Sequence, residues 1–142
     1  MNFIKKYFIA IFIALAMCGC GSEPKNNAED VAVAFFDAIY NQNNINKAKN
    51  LCTANLAKKI SKYRTTKNVA RRLFNMSFDS VKIDAALGDI QVRDEFRTSG
   101  RLTILFTGYR QGKIYKDLKK VKLIKQGDIW LINKLLPDPI PS

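Results

Sequence analysis

The chain of 142 residues contains no histidine. That absence removes serine–histidine and cysteine–histidine nucleophilic catalysis, and with them histidine-ligated metal sites. Acids are scarce as well: 12 Asp and Glu stand against 24 Lys and Arg, a formal net charge of +12. The glycines are isolated turn residues apart from Gly19 and Gly21, so there is no glycine-rich phosphate loop. Long apolar runs are missing too. Phe8 to Met17 is uncharged, but a membrane-spanning helix needs about 20 apolar residues. No cofactor and no metal site is expected from this composition, and carboxylates are the only general bases it offers.

What is present begins with a processing segment. Met1–Tyr7 carries Lys5 and Lys6 without an acid, an apolar stretch follows, and small residues come next, which describes an export signal. A buried N-terminal helix is disfavoured because the run is apolar on every side. The run ends in Cys18-Gly19-Cys20-Gly21-Ser22, which resembles the bacterial lipobox, where a small residue precedes a cysteine that receives a diacylglyceryl thioether. Cys20 has Gly19 before it, as that pattern prefers, although Met17 stands in for the usual leucine. Cys18 has Leu15 correctly spaced, but Met17 would then sit at the cut. The resemblance implies a signal peptide over 1–19, lipidation at Cys20 and a lipidated tether over 20–27. Cys52 is then left without a partner in the chain. Beside Leu51 and the helically spaced Ala48, it reads as a buried thiol. Lipidation at Cys18 instead would leave Cys20 and Cys52 free to bridge.

The charge is uneven. Between Asp37 and Asp79 no acid occurs, yet nine bases do, from Lys47 to Arg72. A second basic stretch runs from Lys113 to Lys125. In an exported, tethered chain nucleic acid is not the expected partner; anionic lipid, peptidoglycan or another envelope protein is. The plain alternative is a solvated face that keeps the domain soluble. In "LAKKISKYRTTKNVARRLF" helical spacing turns Leu56, Ile60 and Tyr63 inward and spreads the bases outward. Lys58, Lys59, Lys62, Lys67 and Arg71 are therefore the candidate electrostatic contact face.

Periodicity divides the rest of the chain. Asn27 can cap a helix over "AEDVAVAFFDAIYN", with Glu29 and Asp30 in its first turn and Ala32, Phe35, Phe36 and Ile39 on one face. "NQNN" breaks it. A short helix with Ile45 and Ala48 follows, Thr53 can cap a third, and Thr66 a fourth carrying Val69, Leu73 and Met76. From Phe78 the period becomes two. Strands are expected in "DSVKIDAAL", "DIQVRDEF", "RLTILFTGY", Ile114 to Lys125 and "DIWLINKLL", with a bulge near Lys119-Lys120 where the apolar phase slips. Helices followed by hairpins predict an α+β fold, with N-terminal helices packed on an antiparallel sheet of about five strands. A proline-spaced tail occupies 137–142.

"VAVAFFDAIYNQNNINKAKNLCT" resembles the opening of small bacterial lipoproteins in the nuclear transport factor two-like superfamily, and "KQGDIWLINKL" resembles their final hairpin. The resemblance covers 28–136. It implies a strongly curved, cone-like sheet round the first helix, with a pocket at the wide end. Members include enzymes, ligand binders and domains with no known function, and the histidine common in the isomerase and dehydratase branches is absent here. A lone Asp94 or Asp117 inside the cone is the remaining candidate for carboxylate-based lyase or isomerase chemistry. The expected role is a non-catalytic interaction domain, lipid-anchored in the bacterial envelope. The alternative is a binder of a small molecule in the cone. Gly21 after the lipid cysteine resembles the outer-membrane sorting pattern, which implies a periplasm-facing outer-membrane address if the host has two membranes.

Overall fold

The computed structural model describes residues 27–86 and 98–137. The signal segment, Cys18, Cys20, the strand expected in "DIQVRDEF" with Asp94, and the tail from 138 lie outside the described residues. Helix α1 spans Ala28–Tyr40, and the Asn27 side chain caps it by accepting from the Asp30 N–H at 2.7 Å. Its apolar stripe is fully used: Ala32, Phe35 and Phe36 are completely buried and Ile39 nearly so. The "NQNN" break follows from local chemistry. Asn43 takes a left-handed φ of 49°, and the Asn44 side chain accepts from the Lys47 N–H at 3.0 Å to start α2, Ile45–Asn50.

Helix α3, Ala54–Tyr63, buries Leu56 and Ile60 on one side. Thr53 occupies its N-cap position, but contrary to expectation its side chain does not cap; the hydroxyl points instead to Asn133 Oδ1, a long contact of 3.5 Å. Arg64, at φ 66°, ends the helix. The next cap is Thr65 rather than Thr66: Thr65 Oγ1 accepts from the Asn68 N–H at 3.2 Å. Thr66 is the first residue of α4, Thr66–Asn68, and is buried. That short helix runs into a π turn, Val69–Leu73, closed by the Phe74 N–H on the Val69 carbonyl at 3.0 Å. The wide turn buries Val69, Ala70 and Phe74 while Arg71 and Arg72 stay exposed.

The described strands form one open antiparallel sheet in chain order: β1 Ser80–Ala85, β2 Ser99–Arg110, β3 Lys113–Gln126 and β4 Ile129–Leu135. Among the described residues it has four strands where about five were expected, and the other expected strand, "DIQVRDEF", lies outside them. The β2–β3 hairpin turns through Gln111 and Gly112, both at positive φ (52° and 74°), the backbone of a two-residue type I′ connection. Its register is continuous through Leu105↔Leu118 and Ile104↔Lys119, so the bulge expected at Lys119-Lys120 is not there. The irregularity lies one pairing further on. Lys122 pairs with Lys134 but Leu123 with Ile132, so Asn133 is the extra residue.

Two faces result. The inner face presents Ile83, Leu102, Ile104, Phe106, Val121, Leu123, Trp130 and Ile132 to α1, all buried. A layer of rings fills the space between helix and sheet, with Phe36 and Phe106 edge to face at 5.0 Å and Tyr40 and Phe106 at 5.7 Å. The outer face leaves Tyr109, Ile114, Leu118 and Ile129 each at least half exposed. At the far edge, Leu51–Thr53 runs parallel to β4, with the Thr53 N–H on the Ile132 carbonyl at 2.9 Å and the Ile132 N–H on the Leu51 carbonyl at 3.0 Å. This covers part of an otherwise open edge.

Candidate functional site

The five bases expected to share one surface divide into two groups. Lys58, Lys59 and Lys62 lie on the exposed side of α3, opposite Leu56 and Ile60. Lys67 and Arg71, four residues apart on α4 and the π turn, instead line a cavity of about 430 Å³. Among the described residues none of the five makes an ion pair; the one such pair of charges is Lys82 and Asp84 at 3.3 Å on the outer sheet face, an exposed contact that contributes little. Lys59 also borders a smaller cleft of about 180 Å³ between α3 and β4.

The larger cavity opens beyond the ring layer. Ile39 and Tyr40 from the end of α1, Ala70 and Phe78 make its apolar wall. Asn43, Thr66 and Ser77 add polar groups, and the Thr66 hydroxyl donates to Asn43 Oδ1 at 3.3 Å. Arg110 and Gln111 enter from the β2–β3 hairpin, and Asp79 from the residue before β1. Their positions are fixed by the backbone: the Asp79 N–H donates to the Tyr109 carbonyl at 2.7 Å, and Asp79 Oδ2 accepts the Gln111 N–H at 3.0 Å. The Arg110 guanidinium stands over the Tyr115 ring, 4.3 Å from its centroid. Three cations thus border one cavity, and its single carboxylate is engaged by a backbone amide.

Two titrating groups carry the electrostatic mark of burial. Tyr40 lies against Phe78 and Phe106 and donates its hydroxyl to the Met76 carbonyl at 2.8 Å. Burial, and secondarily the charge of Asp117, holds its phenol well above the ordinary tyrosine range. Burial also pushes the Cys52 thiol up to about 11, partly offset by Lys49. Cys52 is 6% exposed and its Sγ–H points to the Lys49 carbonyl at 3.4 Å, as a packed thiol would.

The carboxylate candidates separate. Asp117 is exposed opposite Phe106, and its Oδ1 accepts the Leu118 N–H at 2.9 Å. Asp37 accepts from the side chains of Asn41 and Gln42 on the polar side of α1. Among the described residues no three of Cys, Asp and Glu group as metal ligands, and no helix is long and apolar enough to cross a membrane. Sequence reasoning missed Arg110 and Asp79 as cavity residues. Arg110 stands next to the Gln111-Gly112 turn, and only the tertiary fold brings it to the cavity that Arg71 lines. Compared with protein-family models and with curated proteins, the chain gives no match.

Proposed function

We propose that this chain is a lipid-anchored protein of the bacterial cell envelope, a non-catalytic accessory domain whose basic helical surface rests against an anionic membrane leaflet. The observation that carries the reading is α3. Lys58, Lys59 and Lys62 project from one exposed side of a helix whose other side is locked into the core, with no acid paired to them among the described residues. Such bases sit in fixed register with one another. Each base held near an anionic leaflet contributes about 1 kcal/mol, and the attraction falls steeply with salt. For a domain already tethered through Cys20, that suffices to set orientation. The cone-like, five-stranded form and the nuclear transport factor two-like relationship belong to this reading as proposals, supported by the helices-then-hairpins order. The outer-membrane, periplasm-facing address rests on Gly21 alone.

The experiment replaces the signal with one that is cleaved without lipidation and follows the exported domain in isolated envelopes. Retention should be released by high salt and lost on reversing Lys58, Lys59 and Lys62 to glutamate. A domain that is freely soluble at low salt contradicts the reading.

A second reading, a small-molecule binder, is favoured by the 430 Å³ cavity, a size within the range of ligand sites. Carboxylate-based lyase or isomerase chemistry has weaker support, because the cavity's carboxylate, Asp79, already accepts a backbone N–H.

A further inference from the structure

The cavity beside α4 draws together charges that the chain keeps far apart. Lys67 and Arg71 lie on one side of a continuous helical segment, and Arg110 reaches the same cavity from the end of β2. Like charges brought to one rim repel, and none of these three makes an ion pair among the described residues. Asp79 offsets one of these charges at most, and its Oδ2 accepts the Gln111 amide, which anchors the hairpin that carries Arg110. Arg110 is held further by its stacking on Tyr115. The arrangement has a cationic rim, hydroxyl and amide groups from Ser77 and Asn43, and an apolar wall of Ile39, Tyr40 and Phe78.

We infer that this cavity is a binding site for a phosphate ester, its phosphoryl group held by Arg71, Arg110 and Lys67 and its organic part set against Tyr40 and Phe78. The inference develops the small-molecule reading and stands apart from the membrane contact of α3. A phosphoryl group matches the rim better than a carboxylate does. The three terminal oxygens of a phosphate monoester can accept two guanidinium forks and an ammonium at once, whereas one carboxylate offers two oxygens in one plane. The Tyr40 hydroxyl takes no part as a donor, because it is committed to Met76. The phosphoryl group can arrive on a soluble monoester, with three terminal oxygens, or on a phospholipid headgroup, a diester with two; anionic phosphoryl oxygens meet the rim in both cases, and the monoester fills it more completely.

The test titrates the full chain, purified in detergent, with glycerol phosphate, pyrophosphate, a short-chain phosphatidylglycerol and succinate at constant ionic strength, by calorimetry. A phosphate ester should bind, and Arg71→Gln and Arg110→Gln should each weaken it by about tenfold or more, the scale of a lost charge-assisted pair. Lys58→Gln should leave it unchanged, because that residue lies away from the cavity. Binding of phosphatidylglycerol that pyrophosphate displaces assigns the group to a lipid headgroup; binding of glycerol phosphate without it assigns a soluble ester. The inference is overturned if no phosphorylated probe binds, if succinate binds as tightly as the esters, or if Lys58→Gln weakens binding as much as Arg71→Gln. Thermal unfolding of each variant, expected to match wild type because Arg71 and Arg110 are exposed, separates lost contacts from lost fold. Failure here leaves the membrane reading of α3 intact, since that reading rests on Lys58, Lys59 and Lys62.

Discussion

The Phe78 ring lies against the bare backbone of Gly108. A side chain built on Gly108 would collide with the Phe78 ring and come within 2.8 Å of the Ser80 carbonyl. The contact sits on the inner sheet face, where Gly108 pairs with Val81, and the same ring stacks parallel to Phe106 at 6.3 Å. Gly108→Ala should therefore destabilise the domain by about 1–3 kcal/mol, the usual cost of overpacking, measured by urea unfolding. An unchanged midpoint would mean that Phe78 can move aside freely, and that this cavity wall is not rigid.

The two faces of the sheet should differ in how much a shortened or polar side chain costs. Leu118 is 53% exposed on the outer face, so Leu118→Gln should stay within about 0.5 kcal/mol of wild type. Ile104, fully buried on the inner face, should lose about 2–5 kcal/mol as Ile104→Ala. Equal costs at both positions would contradict the assignment of the faces.

These residues also show how far the sequence was legible. Helix α1 could be read in full because capping chemistry at Asn27 and the apolar stripe agree on the same boundaries. The β2–β3 turn was visible in Gln111-Gly112. The misplaced bulge has a clear origin: Leu118 points outward and Lys119 inward, so the apolar phase slips while the backbone alternation does not. Periodicity reports side-chain chemistry, and a lysine stem can occupy an inner position. Thr65 and Thr66 are adjacent possible caps that sequence alone does not rank. Of the site, Lys67 and Arg71 were legible as a helical pair. That they share a cavity with Arg110 and Asp79 was not, because it depends on where the fold sets the end of the β2–β3 hairpin.

Alkaline pH should weaken the fold through two groups that it keeps neutral. Cys52 has an ordinary value of 9.0 and a folded value of about 11, and Tyr40 is raised from 10.0. The unfolded chain loses these protons first, so stability is complete below pH 9.0 and declines as pH rises towards 11, with Tyr40 adding to the loss above 10.0. Urea midpoints across that window should fall less steeply for Cys52→Ala and Tyr40→Phe than for wild type. Tyr40→Phe should also cost about 1 kcal/mol at neutral pH, because the Met76 carbonyl loses its donor. Identical pH slopes for all three proteins would contradict the burial of both groups.

The anchor has its own test in cells. Cys18→Ala should incorporate a palmitate analogue normally, whereas Cys20→Ala should not, because the proposed cut follows the small residue Gly19. Loss of label in Cys18→Ala alone would move the lipid to Cys18.

Contact of α3 with an anionic leaflet, as proposed, can be measured by co-sedimenting residues 23–142 with vesicles. The domain should pellet with vesicles containing anionic lipid at low salt, remain soluble with neutral vesicles, and be released when added salt shortens the screening length to about 3 Å. Reversal of Lys58, Lys59 and Lys62 to glutamate should abolish pelleting and leave the urea midpoint unchanged. Wild-type domain that stays in solution with anionic vesicles at low salt, or a triple variant that pellets as well as wild type, would contradict the account.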